Sequence, residues 1–141
     1  MYKIRAIVFL FLALACSKDD EPERFKSING TWIVRTPDSQ TTLSFRVSQD
    51  QDNINVIDRT SVVHNGTDFN SKTIYANMIT INEREIESLT FTNNSFEQPF
   101  LVIRLTNASV NEDFTEMQIE NSSFNINGEF REFPMITAGR N

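Results

Sequence analysis

The sequence has few of the side chains on which most active sites depend. Its 141 residues include one cysteine, Cys16, and one histidine, His64. A single cysteine excludes a disulfide within one molecule. Nucleophilic catalysis by serine or cysteine needs a base within reach, usually a histidine. Because His64 lies beside a tight turn, we expect a solvated loop residue there and predict no catalytic residues.

Metal sites are limited by the same shortage, because carboxylates are the only other common ligands in this chain. The acidic stretch at residues 50–53 comes nearest to a calcium-binding loop. The EF-hand pattern would require an acid or amide at Ile54, a glycine at Asn55 and a glutamate at Ser61. All three positions differ, so the stretch predicts a polar turn, and we expect no metal and no cofactor.

Paired carboxylates can hydrolyse glycosides when two of them face each other across a cleft. The candidates are Glu83, Glu85 and Glu87, which alternate along one stretch, and Glu129 and Glu132 near the end of the chain. On a strand edge, alternating glutamates form a solvated face that discourages pairing with another sheet. The solvated face is the preferred interpretation, and we predict that the protein is not an enzyme.

Clusters of basic residues are also missing. The chain has 13 Lys and Arg against 19 Asp and Glu, which gives a net charge of −6. Two of the basic residues, Lys3 and Arg5, belong to the first few positions, so the remainder is more acidic still. Phosphate backbones are bound by clustered Lys and Arg, and nucleic acid is therefore not an expected partner.

A long apolar run is present only at residues 6–15, directly after Lys3 and Arg5. A basic start followed by a short apolar segment is the layout of a secretory signal. A membrane-spanning helix needs about 20 apolar residues, so this run predicts targeting and not a membrane span. We divide the chain into a signal peptide at residues 1–15, a tether at residues 16–26 and one domain at residues 27–141.

The end of this run, Leu-Ala-Leu-Ala-Cys at residues 12–16, resembles the lipobox of bacterial lipoproteins. In that family a signal peptidase cuts before the cysteine, and a diacylglycerol is attached to its sulfur. The resemblance implies that Cys16 is the lipidated first residue of the mature protein. The acyl chains would then hold the protein on a membrane.

The residues after Cys16 resemble the export signal of lipoproteins in Bacteroidota, which is a basic residue followed by acidic ones. Here Lys18 precedes Asp19 and Asp20. The resemblance implies display on the outer face of the outer membrane. The alternative is a charged flexible tether, since Asp, Glu and Pro are typical of linkers.

From Ser27 onward, apolar and polar residues alternate with period two, and Phe, Thr, Ile and Val are abundant. Both features favour β-strands. Asn-Gly pairs at residues 65–66 and 127–128 predict hairpin turns, because both central positions need positive φ. The hydrophobic run at residues 100–106 predicts a strand that is covered on both faces. We predict strands at residues 31–36, 43–47, 54–63, 72–81, 86–92, 100–106, 115–120, 124–126 and 129–136.

The first predicted strand begins with Gly30-Thr31-Trp32, which resembles the Gly-x-Trp signature of lipocalins and of lipocalin-like lipoprotein domains. The resemblance implies an all-β, antiparallel up-and-down barrel of about eight strands. In that family Trp32 would close the base of the barrel, and an arginine near the last strand, either Arg131 or Arg140, would pack across it. The number and alternation of the strands also fit an immunoglobulin-like β-sandwich, which is the alternative.

Phenylalanine is abundant in the predicted strands. An eight-stranded barrel is just wide enough to be filled by side chains or to hold one small ligand. The first functional hypothesis is therefore a lipid-anchored binding protein for a small hydrophobic ligand. The second is an envelope protein with a filled core that binds a partner protein or a glycan through its outer surface. The phenylalanines concerned are Phe45, Phe91, Phe100, Phe124, Phe130 and Phe133.

The lipobox resemblance predicts that Cys16→Ala abolishes acylation. Cells fed a labelled fatty acid should incorporate it into the wild-type protein and not into Cys16→Ala. A matched variant with Lys18, Asp19 and Asp20 changed to alanine should keep the label but lose accessibility to external protease. Labelled Cys16→Ala would contradict the anchor, and unchanged protease accessibility would contradict the export signal.

Overall fold

The computed structural model describes residues 25–69, 74–93 and 100–141, and every regular element in those ranges is a β-strand. Alternating side chains account for this, because most of these strands bury one face and expose the other. The nine strands are β1 (Gly30–Arg35), β2 (Thr41–Gln49), β3 (Asn55–His64), β4 (Thr67–Phe69), β5 (Tyr75–Thr80), β6 (Glu85–Thr92), β7 (Leu101–Val110), β8 (Glu116–Ile126) and β9 (Glu129–Arg140).

All nine strands belong to one antiparallel sheet in the order β4-β3-β2-β1-β9-β8-β7-β6-β5. Strands that are consecutive in the chain are neighbours, except β4 and β5 at the two edges of the sheet, and the first strand also pairs with the last. The sheet curls until β5 contacts β3. This is the up-and-down, barrel-like arrangement predicted from the sequence. The alternative of an immunoglobulin-like sandwich is wrong, because a sandwich requires two sheets and Greek-key connections.

Both Asn-Gly pairs form the predicted hairpin turns. Asn65 and Gly66 connect β3 to β4 with φ values of 47° and 79°. Asn127 and Gly128 connect β8 to β9 with φ values of 55° and 81°. Positive φ at both central positions gives the turn the same twist as the strands that it joins.

A row of kinks crosses the four strands from β6 to β9. Glu87, Asn107, Glu120 and Met135 lie opposite one another along this row, and ladder pairing is interrupted there. Asn107 and Met135 have positive φ. The alternation of buried residues changes phase at the row, so the sheet bends while each strand keeps one face buried. The buried residues on β7, for example, are Leu101, Ile103 and Leu105 before the row and Ala108 and Val110 after it.

Two details of the predicted strands are wrong. Residues 115–120 and 124–126 were expected to be separate strands, but they form the single strand β8, because its change of phase hides the continuity in the sequence. Strand β7 was expected to be covered on both faces. It alternates, however, and Arg104 on its outer face is exposed.

The turn geometry predicts that Gly128→Ala destabilises the domain by about 1–2 kcal/mol, the usual cost of a left-handed conformation for a residue with a Cβ atom. Gly139→Ala is the matched control, because Gly139 lies in β9 without a positive φ and has open space where a Cβ would lie. Urea unfolding should show the loss for Gly128→Ala and none for Gly139→Ala. Equal stability of the two variants would contradict the turn assignment.

Candidate functional site

Trp32 lies on the buried face of β1, near the end of the barrel where β1 begins and β9 ends. Its side chain is fully buried, and its Nε1 donates a hydrogen bond to the carbonyl oxygen of Ile28 over 2.8 Å. Two residues earlier, Gly30 has a φ of +141°, and a Cβ there would lie 2.7 Å from Nη2 of Arg140. Glycine is therefore required at position 30 both by the backbone conformation and by the arginine that packs over it.

Arg140, and not Arg131, is the arginine at the Trp32 end. Its Nη1 donates to the carbonyl oxygens of Ser27 at 2.6 Å and Phe114 at 3.1 Å, and its Nη2 donates to that of Asn29. These acceptors belong to the segment before β1 and to the β7–β8 connection. One side chain thus joins three parts of the chain, and the sequence alone could not decide between the two arginines.

Aromatic rings lie next to the guanidinium of Arg140. Its central carbon is 3.8 Å from the ring centroid of Phe25 and 5.7 Å from that of Trp32. Cation–π attraction adds to the hydrogen bonds in this arrangement. Burial lowers the pKa of Arg140, but a guanidinium stays charged at physiological pH because its ordinary pKa is so high.

Arg131 lies at the opposite end of the barrel. Its Nη1 is 2.6 Å from Asp38 Oδ2, and its Nη2 is 3.1 Å from Glu129 Oε2. Burial raises the pKa of Asp38, but hydrogen bonds from Thr36, the Gln40 backbone and Arg131 outweigh it and leave that pKa below its ordinary value. The stability that Asp38 contributes is therefore complete above its ordinary pKa of 3.8 and is lost as the pH falls through the lower pKa of the folded state.

His64 belongs to the same end, and the expectation of a solvated loop residue is wrong. It is the last residue of β3, and only 6% of its surface is exposed. Its Nδ1 is 2.8 Å from Thr41 Oγ1, and its Nε2 is 3.6 Å from Glu129 Oε2. The Thr41 hydroxyl, the His64 imidazole and the Glu129 carboxylate thus form a row in space, as the groups of a catalytic triad do. Thr41 is buried, however, so its hydroxyl does not face solvent as an attacking nucleophile would.

The barrel interior is crossed by an aromatic contact. The rings of Phe45 on β2 and Phe91 on β6 approach to 5.4 Å between centroids, at an interplanar angle of 50°. These strands lie on opposite sides of the curled sheet, so the space between them at this level is occupied by side chains. Leu43, Leu89 and Ile103 are also fully buried. Phe124 is buried as well and meets the half-buried Phe133 edge to face at 5.9 Å.

The other two predicted phenylalanines, Phe100 and Phe130, lie on the outer surface. They are 54% and 61% exposed, and they border a surface depression of about 220 Å³. The floor of the depression is formed by the outer faces of β7 and β8. Its remaining lining residues are Val102, Arg104, Ser123 and Asn125.

The sequence contains a signal for this surface that the prediction missed. Phe100 is out of phase with the buried series Leu101, Ile103 and Leu105, and Phe130 lies opposite the outward-facing Asn125 across the β8–β9 hairpin. Once the alternation of each strand is fixed, both phenylalanines fall on the outer face. Counting aromatic residues without their phase assigned them to the core.

The remaining candidate residues do not form a site together. Asp50 accepts backbone hydrogen bonds from Asp52 and Ile54, both at 2.9 Å, and so forms the predicted polar turn. Glu83, Glu85 and Glu87 are exposed, and Glu132 is exposed on β9. Cys16, Lys18, Asp19 and Asp20 lie outside the described residues.

Neither a cluster of metal ligands nor a membrane-spanning helix occurs in the described ranges. Within residues 25–69, 74–93 and 100–141, no three His, Cys, Asp or Glu side chains are grouped as metal ligands. In the same ranges no helix is long and apolar enough to span a membrane. No protein-family model, curated protein or solved structure matches the chain.

The contacts of Arg140 predict that Arg140→Gln destabilises the domain by about 2–3 kcal/mol, because hydrogen bonds from a charged donor to three carbonyl groups are lost. The matched control is Arg131→Gln, which removes ion pairs with exposed carboxylates and should cost under about 1 kcal/mol. Urea unfolding followed by fluorescence of Trp32, the only tryptophan, measures both. Equal losses would contradict the structural role assigned to Arg140.

Proposed function

We propose that this protein is a lipid-anchored, surface-displayed binding lipoprotein without enzymatic activity, which takes its partner on the outer surface of the barrel. Of the two functional hypotheses raised by the sequence, this is the second. The observation that favours it over a hydrophobic ligand is the contact between Phe45 and Phe91 across the interior.

The packing argument is one of available volume. A site for a small molecule is a concave space of roughly 300–1,000 Å³ that buries most of the ligand. A hydrophobic ligand at the level of Phe45 and Phe91 would have to displace one of two fully buried rings that contact each other. Opening such a space costs about 3–5 kcal/mol, the usual loss on removing a buried aromatic side chain. Binding outside the barrel has no such cost.

The anchor supports the same proposal. Lipidation at Cys16 would tether the domain through the segment that precedes β1. The described chain begins at Phe25, which packs on Arg140 at the Trp32 end of the barrel. The opposite end and the outer wall would then be free to meet a partner. The acidic net charge agrees with a domain held by acyl chains and not by attraction to anionic lipids.

The chemistry of the described groups supports a binding role over catalysis. The arrangement closest to a catalytic one is that of Thr41, His64 and Glu129, and its hydroxyl is buried in the barrel wall. The other carboxylates considered from the sequence are spread over exposed turns and strand faces. A binding protein needs only a stable wall with suitable side chains on its outside.

The proposal predicts that the wild-type interior does not take up a small apolar molecule, whereas Phe91→Ala does. Removing the Phe91 ring leaves an apolar cavity lined by core side chains, and cavities of this kind bind benzene. Titration with benzene, followed by chemical shifts of the core methyl groups, should show saturable binding to Phe91→Ala alone. Phe130→Ala is the matched control, because it removes an exposed ring and creates no cavity.

Native mass spectrometry of the wild-type protein tests for a hydrophobic ligand that is already bound inside the barrel. A hydrophobic molecule bound with one-to-one stoichiometry and released on unfolding would contradict an outer-surface function. Saturable binding of benzene by the wild-type protein would contradict it as well.

A further inference from the structure

The depression beside Phe100 and Phe130 has the composition of a site for a small, amphipathic ring. Two exposed phenylalanine rings border it, and Ser123 and Asn125 supply a hydroxyl and an amide on its floor. The Oδ1 atom of Asn125 is buried and has no hydrogen-bond partner among the described residues. The site therefore offers apolar ring faces together with a hydroxyl-bearing and an amide-bearing side chain.

Saccharides match this combination. A pyranose ring presents C–H groups on its faces, which pack on aromatic rings, and hydroxyl groups around its edge, which bind amides and hydroxyls. The volume of about 220 Å³ is below the roughly 300 Å³ at which sites for drug-sized molecules begin. It suits one sugar ring of a longer chain. A protein partner would instead need about 800 Å² of contact surface, far more than these six residues provide.

Arg104 adds a preference for negative charge. It is exposed on the outer face of β7, and within the described part of the chain it takes part in none of the ion pairs. Guanidinium groups bind carboxylates through two parallel hydrogen bonds. On the far side of Ser123, β9 places the exposed Glu132, which repels a second negative charge. A bound carboxylate would therefore point towards β7.

The location fits a tethered domain. Leu101 pairs with Ile126 beside the β8–β9 turn, whereas Arg140 lies at the other end of β9. The ten residue steps from Phe130 to Arg140 on β9 span roughly 30 Å at the rise of an extended strand. The depression thus lies at the end of the barrel away from the segment that leads to Cys16.

We infer that the depression formed by Phe100, Arg104 and Phe130, with Ser123 and Asn125 on its floor, binds one hexuronic acid residue of an acidic saccharide. The ring packs between the two phenylalanines, and its carboxylate pairs with Arg104. This inference rests on the proposed outer-surface function and specifies its ligand.

The test is isothermal titration calorimetry of the full-length lipoprotein in detergent with a trimer of galacturonic acid or of glucuronic acid. Neutral galactose and glucose trimers serve as matched ligands. We expect at least one acidic trimer to bind at least tenfold more tightly than its neutral counterpart, the factor that one charge-assisted contact gives. Arg104→Gln should remove that difference, and Phe130→Ala should weaken binding of both members of the pair.

Two control variants make the same kinds of substitution at exposed positions outside the depression. Arg59→Gln removes an exposed arginine from β3, and Tyr75→Ala removes an exposed aromatic ring from β5. Neither should change the affinity for the trimers. All four substitutions are at exposed positions, so each variant should keep the thermal unfolding midpoint of the wild type within a few degrees.

Three results would overturn the inference. The first is no binding of either acidic trimer by the wild-type protein at millimolar concentration. The second is the same preference for the acidic trimer in Arg104→Gln as in Arg59→Gln. The third is a change of self-association in Phe130→Ala, seen by sedimentation velocity, with unaltered saccharide binding, because the rings would then form a contact between proteins. None of these results bears on the filled interior, which the benzene titration tests separately.

Discussion

The guanidinium of Arg140 connects the two ends of the folded chain. It extends from the last strand and donates hydrogen bonds to carbonyl groups of Ser27 and Asn29 before the first strand. It also lies over the ring of Trp32. The pairing of β1 with β9 brings these groups together, and the hydrogen bonds in turn hold the first strand against the last. The β1–β9 pairing lies in the middle of the sheet order, so it joins strands β4 to β1 on one side to strands β9 to β5 on the other. Gly30 is part of the same arrangement, since a side chain there would occupy the position of the guanidinium.

Much of the fold could be predicted from local patterns. Alternation of apolar residues located most strands, and each Asn-Gly pair marked a hairpin because its geometry is set by two residues. The arginine beside Trp32 could not be chosen from the sequence, because it depends on the relation of β9 to the segment before β1, which is a long-range property. His64 was misplaced for a similar reason. It is buried in the folded chain and lies within hydrogen-bond distance of Thr41, 23 residues earlier, and no local pattern around His64 indicates that contact.

The candidate site shows the same division between local and long-range information. The composition revealed many phenylalanines, and the structure divides them between two environments. Phe45 and Phe91 fill the interior, whereas Phe100 and Phe130 lie outside. The phase of each strand decides the environment, and phase is difficult to follow in a sheet whose strands are kinked at Asn107 and Met135. Arg104 became a candidate only through its position beside two exposed rings.

The contact between β5 and β3 separates this barrel from a fully closed one. These two strands touch, yet among the described residues no ladder of backbone hydrogen bonds joins them. In the described sheet, the seven strands from β3 through β2, β1, β9, β8 and β7 to β6 each pair with a neighbour on both sides. The hydrogen-bonded wall therefore has a single seam, between β5 and β3. Amide hydrogens along the free side of β5 are exchangeable without the opening of any strand pair, whereas those of β1 and β9 exchange only when the wall itself separates. The molecule therefore has its lowest local stability at the seam, and partial opening would begin on the side of the barrel where β5 lies.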